Sequence, residues 1–365
     1  MSIIVALVAL HAYNARRIQA EDFALGKQNT SRTESWDGLP MTAHSVAGVM
    51  ALVRDHQFRD QAKNGSQPRK VGWFGNSQLH TINQFKQGQH LAPFWLRQLS
   101  DCGGCIQPLG LSLANANPQE VRVLSTYVAH ELPLAAVIYE VEFMGFREDA
   151  LRGEFKLLAD HQPLLALLGD APASQELKAL AALRNDKDGV AKEREDGAAA
   201  VAFQERVESR LSEGLGEVSQ LWADRAHLRT TLLGDLFTLR NRVFHISSQS
   251  QRKIIRPRYV RNMEAFEAML AHFEQARVPV VLYFAPIRGD KPLPYDHAEF
   301  REWQSDVHRI AHRHGARLLN LSSLVPAQAW GSNFGEDIDF MHFQEPGHRL
   351  VAQALWPEVR DVLGL

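Results

Sequence analysis

Cysteine is scarce in this sequence, because only Cys102 and Cys105 occur among its 365 residues. No four-ligand zinc site is visible with so few thiols. The pair stands in Cys-Gly-Gly-Cys just before a predicted strand rather than at a helix start, which argues against a thioredoxin-like redox role. The spacing predicts either a local disulfide in an oxidising compartment or two unremarkable thiols.

A strong net charge is also absent, since 40 basic and 42 acidic residues leave a formal charge of -2. This balance gives no electrostatic reason to expect nucleic acid as a partner. Glycine-rich phosphate loops of the Walker and dinucleotide types are missing, and His130-Glu131 is followed by Leu134 where a zinc protease needs a second histidine. The sequence therefore implies no nicotinamide, flavin, metal or other cofactor.

The apolar run at the amino terminus is too short to span a bilayer by itself. Residues 2–13 are nearly all apolar and are followed by Arg16-Arg17, whereas a spanning helix needs about 20 apolar residues. Residues 1–20 are therefore predicted to be a membrane anchor or its remnant, and a buried first strand is the alternative. An anchor would contact the membrane and place the remaining chain on the periplasmic or extracellular face, and a cytoplasmic location is the alternative.

Two polar motifs stand out near the ends of the chain, Gly75-Asn76-Ser77-Gln78 and Asp339-Phe340-Met341-His342. Each is predicted to follow a strand, and the carboxyl ends of parallel strands meet at one edge of a sheet. A serine hydroxyl needs a base to become a nucleophile, and His342 is the predicted base for Ser77. Asp339, three residues earlier on a predicted tight turn, is expected to orient the imidazole.

An oxyanion formed at Ser77 would need N–H donors beside it. The residues from Ser77 to Phe85 predict a helix with an apolar stripe, so the backbone N–H of Ser77 is expected at a helix start. Asn115 and Asn117, in Ala114-Asn115-Ala116-Asn117-Pro118, are predicted to supply a second donor. The alternative is that this Asn-Pro segment only forms a turn.

These motifs resemble the SGNH/GDSL hydrolases, in which a Gly-Asp-Ser-type turn carries the nucleophile and the last block is Asp-x-x-His. Residues 344–355, entered through Pro346-Gly347, are also similar to the closing helix of that family. The chain departs from the family at Asn76, where aspartate is usual, and in lacking a Gly-x-Asn-Asp block after the third strand. The resemblance implies an α/β, flavodoxin-like three-layer sandwich and a triad of Ser77, His342 and Asp339.

Short apolar runs between turn residues predict the strands of a central parallel sheet. Five are predicted, at residues 71–74, 106–113, 135–142, 278–285 and 316–321. Residues 65–145 and 275–365 are assigned to the catalytic α/β domain, and residues 146–274 to a helical insertion that could cap the site. Near the end of this insertion, Arg256 and Arg258 are predicted either to bind an anionic substrate or to form a solvated face.

The anchor-like start, the insertion and the divergent third block are similar to the envelope acyl-transfer branch of the family, with its DltD-like and alginate O-acetylation-like proteins. That resemblance implies O-acylation of a cell-envelope glycan or polymer through an acyl-Ser77 intermediate. It also implies an acyl donor, a polymer acceptor and a membrane-bound O-acyltransferase as partners. Two alternatives stay open: a simple SGNH esterase or deacetylase, and a non-catalytic scaffold subunit of an envelope complex.

Overall fold

The computed structural model describes residues 33–62, 67–80, 90–100, 102, 104–192, 251–332 and 338–365, and at 183–192, 332 and 338–341 the backbone alone. Contacts divide the chain into two units, residues 1–24 with 181–250 and residues 25–180 with 251–365. The predicted anchor and residues 193–250 of the predicted insertion lie outside the described residues.

Strands and helices alternate along most of the second unit, as an α/β fold requires. In chain order they are β1 (Ser35–Trp36), β2 (Leu39–Pro40), β3 (Thr42–Ala43), α1 (Val46–Ala62), β4 (Arg69–Gly75), α2 (Ala92–Leu99), β5 (Ile106–Ser112), α3 (Pro118–Glu131), β6 (Leu134–Val141), α4 (Gln162–Leu168), α5 (Pro172–Lys192), α6 (Arg256–Gln275), β7 (Val280–Phe284), α7 (His297–Arg313), β8 (Arg317–Asn320), β9 (Trp330–Ser332), β10 (Ile338–Phe343) and α8 (Glu345–Val362).

Six strands form one parallel sheet in the order β3-β5-β4-β6-β7-β8. All five predicted strands are present in it. Without the edge strand β3, the order is second, first, third, fourth and fifth along the chain, which is the flavodoxin-like order. The predicted fold class is confirmed, and the sheet has one strand more than expected. Strand β3 has only two residues, too few for an apolar pattern to reveal it.

Helices cover both faces of the sheet, which explains why its strands read as continuous apolar runs. Neighbouring residues of a strand point to opposite faces, so Phe74 packs in one core with Leu124 of α3 and Phe266 of α6. Trp73 packs in the other core with Leu96 of α2 and Val351 of α8. The predicted three-layer sandwich is therefore confirmed.

Helix α6 falls within the residues predicted as an insertion, yet it packs in the first of these two cores. Its buried side chains include Tyr259, Phe266 and Phe273. Helix α6 thus leads directly into β7 as part of a layer of the sandwich. The division of the chain into a catalytic domain and a cap stays a prediction.

Candidate active site

The site lies where the strand order reverses. From β4 the chain passes first to β5 on one side and later to β6 on the other, and ligands of such sheets bind in the crevice at the carboxyl ends of the strands there. Gly75 is the last residue of β4 and pairs with Ser112, the last residue of β5. Ser77 follows two residues after Gly75, so it stands at this crevice.

Ser77 begins a single 3-10 turn over Ser77–Leu79, where a longer helix was expected. Asn76 caps this turn, since its side-chain Oδ1 accepts a hydrogen bond from the backbone N–H of Gln78 at 2.9 Å. The Gln78 side chain donates to the carbonyl of Pro286 at 2.8 Å, beyond the end of β7. The serine backbone is therefore held from both sides of the crevice.

A side chain at position 75 would collide with its surroundings. A Cβ atom there would lie 2.7 Å from Oε2 of Glu140 and 2.9 Å from Cδ1 of Leu79. Only glycine allows β4 to approach the buried Glu140 so closely. This explains in physical terms why the Gly75-Asn76-Ser77-Gln78 motif begins with glycine.

His342 reaches Ser77 from the opposite end of the chain, with its Nε2 atom 3.0 Å from the serine Oγ. It lies in β10, which pairs antiparallel with β9. Ile338 pairs with Ser332 and Phe343 with Trp330, so the longer segment bulges between these pairs. The expected tight turn before His342 is thus wrong, and a bulged strand stands in its place.

Asp339 lies in the same bulged strand as His342. The structure describes the backbone of Asp339 and not its side chain. Its predicted role as the group that orients the imidazole stays a prediction.

Two buried histidines flank His342, and both are neutral at ordinary pH. Burial lowers the pKa of His80 to about 3, with smaller contributions from the charges of His44 and His342. Burial likewise lowers the pKa of His348 to about 3, again with a contribution from His342. Neither therefore adds positive charge beside His342 when it accepts a proton. In the described part of the chain, no cluster of His, Cys, Asp or Glu is arranged to hold a metal ion.

A second serine–histidine pair lies at the end of the neighbouring strand. Nδ1 of His44 is 3.0 Å from Oγ of Ser112, and Ser112 is fully buried. The rings of His44 and His80 meet edge to face with centroids 4.3 Å apart. Sequence reasoning missed this pair, because His44 and Ser112 belong to no recognisable motif.

Two buried carboxyl groups lie behind the serine turn, and sequence reasoning missed both. Burial raises the pKa of Glu142 to about 7, against the opposing effect of hydrogen bonds from Met144 and Asn76. Burial, and then the charge of Glu142, raise the pKa of Glu140 well above its usual range. A usable signal was present, because two glutamates at alternate positions interrupt an otherwise apolar strand sequence.

The structure places the predicted oxyanion donors Asn115 and Asn117 in the turn after β5. Asn117 accepts a hydrogen bond from the backbone N–H of Glu120 at 3.0 Å and donates to the carbonyl of Ala150 at 2.8 Å. Asn115 is exposed and has a left-handed backbone conformation with a φ of 53°. These features favour the turn alternative, and the second oxyanion donor stays unassigned.

The predicted substrate-binding arginines make surface contacts instead. Arg256 forms a bidentate ion pair with Glu302. Arg258 donates to the backbone carbonyl of Arg147 at 3.1 Å and lies 3.9 Å from Asp149. These contacts favour the solvated-face alternative.

Cys102 and Cys105 are joined by a disulfide, with their Cα atoms 5.4 Å apart. This agrees with the first of the two interpretations of the Cys-Gly-Gly-Cys motif. Among the helices of the described residues, none combines the length and the apolarity that a bilayer crossing requires.

Comparisons with known proteins give weak structural similarities and no sequence match. No protein-family model matches the chain, and no curated protein matches it significantly. A GDSL-like lipase from Bacteroides thetaiotaomicron is similar over 85% of this chain and 98% of its own, at 9% identity and a TM-score of 0.36.

Two further solved structures are similar to the same degree. An alpha/beta hydrolase from the metagenome of Lake Arreo covers 82% of this chain with 97% of its own, at 9% identity and a TM-score of 0.37. An acetylxylan esterase from Geobacillus stearothermophilus covers 82% of this chain with 96% of its own, at 6% identity and a TM-score of 0.38. Such low values assign no function, so the function is inferred from the site itself.

Proposed function

We propose that this protein is a serine-dependent esterase or acyltransferase with Ser77 as its nucleophile. The observation that carries this proposal is the distance of 3.0 Å between Ser77 Oγ and His342 Nε2. A nucleophile and its base within hydrogen-bond reach are the minimal device of serine catalysis. Their position at the switch point of a parallel sheet supports a substrate crevice there.

In the proposed reaction, Ser77 Oγ attacks the carbonyl carbon of an ester while His342 Nε2 takes the serine proton. The negative charge on the carbonyl oxygen is stabilised by the backbone N–H of Ser77 and a second donor. The carbon–oxygen bond to the alcohol then breaks, and His342 returns its proton to the leaving oxygen. A second hydroxyl attacks acyl-Ser77 and loses its proton to His342. The bond between the acyl carbon and Ser77 Oγ then breaks, and His342 returns the proton to Oγ, which regenerates the serine. Asp339 is the proposed orienting group.

The second hydroxyl is that of water in an esterase and that of a polymer in an acyltransferase. We favour a hydroxyl of a cell-envelope glycan, on the basis of the motif resemblance, with a membrane-bound O-acyltransferase as the partner. The Cys102–Cys105 disulfide supports an oxidising compartment, which is consistent with the periplasmic or extracellular face of a membrane.

Labelling with a fluorophosphonate tests the proposal, because this reagent reacts with activated serines. Intact-mass analysis and peptide mapping should find one adduct, on Ser77, and Ser77→Ala should abolish it. Ser112→Ala is the matched control, since Ser112 also contacts a histidine, and it should label like the wild type. An adduct on Ser112 would contradict the assignment of Ser77 as the nucleophile. A folded protein without any adduct would contradict the proposal and favour the scaffold alternative.

Product analysis separates hydrolysis from transfer. The acyl enzyme formed from p-nitrophenyl acetate is incubated with and without a soluble glycan, and the acetylated products are identified by mass. Acetylated glycan indicates the acyltransferase. Free acetate at an unchanged rate indicates the simple esterase.

A further inference from the structure

We propose that Glu142 is a positioning residue that fixes the orientation of Asn76 and thereby the serine turn. This inference rests on the proposed function, because it concerns how Ser77 is held for attack. Glu142 does not contact the reacting atoms itself. It acts through one side chain, that of Asn76.

The contacts form a short chain from the buried acid to the nucleophile. Asn76 donates from its side-chain Nδ2 to Oε2 of Glu142. The other end of the same amide, Oδ1, accepts the backbone N–H of Gln78 at 2.9 Å. Asn76 and Gln78 are the two residues that flank Ser77, so the amide of Asn76 spans the nucleophile turn.

The amide can serve both contacts in only one orientation. An ionised carboxylate accepts hydrogen bonds and cannot donate them, so Glu142 selects the NH2 end of Asn76. The oxygen end is then left to accept the N–H of Gln78. In the reversed orientation, the NH2 group would face the N–H of Gln78, and the turn would lose its cap.

The surroundings of Glu142 explain why it can select this orientation. Its other hydrogen bonds come from neutral groups, the backbone N–H groups of Met144, at 3.3 Å, and Gly145 and the hydroxyl of Tyr295. Glu140 interacts with it from the end of β6, two residues earlier, and the charge of Arg252 acts on it from the loop before α6. In this buried site the Asn76 amide is a principal source of stabilisation for the carboxylate.

The charge state of the two buried acids agrees with this arrangement. The pKa of Glu142 is raised only to about 7, so Glu142 is ionised in most molecules at about pH 8. The pKa of Glu140 is raised well above its usual range, so Glu140 keeps its proton. The negative charge of the pair therefore lies on Glu142, which bonds the side chain of Asn76, whereas Glu140 accepts the backbone N–H of Asn76.

An exchange of donor and acceptor tests the inference. Asn76→Asp places two carboxyl groups in contact, and Glu142→Gln removes the charge that selects the amide orientation. The double variant Asn76→Asp/Glu142→Gln restores the hydrogen bond with reversed polarity, because the new Gln amide donates to one Asp oxygen. The other Asp oxygen still accepts the N–H of Gln78.

The rate of fluorophosphonate labelling at Ser77, measured at about pH 8, is the main readout. Each single variant should react about 10- to 100-fold more slowly than the wild type, because the nucleophile is misplaced. The double variant should return to within about fivefold of the wild type. With p-nitrophenyl acetate, the losses should fall on kcat rather than KM, since the acyl group is bound by other residues.

Glu120→Gln is the matched control, because Glu120 is a buried acid that bonds an asparagine after the neighbouring strand. It should label within about threefold of the wild type. Single variants that label at the wild-type rate would overturn the inference. A double variant whose labelling rate is reduced by the product of the two single-variant factors would also overturn it, because the two changes would then act independently. If a single variant does not fold, the labelling rate of the folded double variant decides whether the inference holds. An unlabelled wild type would instead refute the proposed function, and with it this inference.

Discussion

Two neighbouring strands, β4 and β5, lead into turns built with the same local device. Asn76 follows β4 and Asn117 follows β5, and each accepts a backbone N–H two or three residues further along. A buried glutamate bonds each asparagine, Glu142 at the side-chain NH2 of Asn76 and Glu120 at the backbone N–H of Asn117. Both turns therefore combine a capping asparagine with a buried glutamate, and they differ in the groups around that pair.

The difference lies in how the buried carboxylate is compensated. Arg152 donates to both oxygens of Glu120, from Nε at 2.7 Å and from Nη2 at 2.6 Å. Glu142 receives its hydrogen bonds from neutral amides and a hydroxyl. A buried charge without a strong ion pair is costly, and such groups cluster at functional sites. The β4 turn therefore has the features of a site, and the β5 turn those of a structural cap.

The two turns also differ in the groups that they face. Ser77 faces His342 at 3.0 Å. The β5 turn instead packs against backbone, since a Cβ atom on Gly145 would lie 2.6 Å from the carbonyl oxygen of Ala116. The first turn therefore presents a serine side chain to a histidine, whereas the second turn packs at Ala116 against the backbone of Gly145.

The largest predicted effect is that of removing the base. His342→Ala should slow labelling of Ser77 by about 10³-fold or more, because the hydroxyl then loses its proton acceptor. The rate of adduct formation measured by mass spectrometry gives this value, with circular dichroism to confirm folding.

The matched control is His44→Ala, which removes the histidine of the Ser112 pair. It should label within about threefold of the wild type. A loss with His44→Ala as large as that with His342→Ala would show that both strand ends carry chemistry, and the distinction between the two turns would fail.

Much of the fold follows from the sequence because its physical signals are local. The five longer strands read as apolar runs, since helices bury both faces of the sheet. The same signal could not reveal the two-residue strand β3. Ser77 and His342 could be paired because the ends of parallel strands meet at one edge.

The rest of the site depends on contacts between distant residues. Glu142 meets Asn76 across 66 positions of sequence, and His44 meets Ser112 across 68. No periodicity encodes such pairs. The bulge before His342 was missed for a related reason, because it depends on the register of β10 against β9.

The second predicted effect concerns stability and pH at the β4 turn. The folded pKa of Glu142, about 7, lies above its ordinary value of 4.5. The folded state therefore holds this proton more tightly than the unfolded chain does. The resulting stability is fully present below about pH 4.5 and is lost as the pH rises to about 7. At about 1.4 kcal/mol per unit, the loss approaches about 3 kcal/mol.

Comparison of the wild type with Glu142→Gln measures this contribution, because groups such as Arg252 and Tyr295 are present in both proteins. The difference includes the effect of the Glu142 charge on the pKa of Glu140. The free energy of unfolding, from urea titrations, should fall for the wild type relative to the variant between about pH 4.5 and 7. A constant difference across this range would show that folding does not raise the pKa of Glu142.

The smallest predicted effect concerns the β5 turn. Asn117→Ala removes the cap of α3 and should lower the free energy of unfolding by about 1 kcal/mol. Labelling of Ser77 should stay within about threefold of the wild type, because the Asn117 amide is bonded to Glu120 and Ala150. Asn115→Ala, which alters the exposed residue of the same turn, should lower the free energy of unfolding by a similar amount, about 1 kcal/mol, because alanine adopts the left-handed conformation of this residue less readily than asparagine. A drop in labelling of about 100-fold with either variant would identify that asparagine as the second oxyanion donor. The β5 turn would then serve catalysis together with the β4 turn.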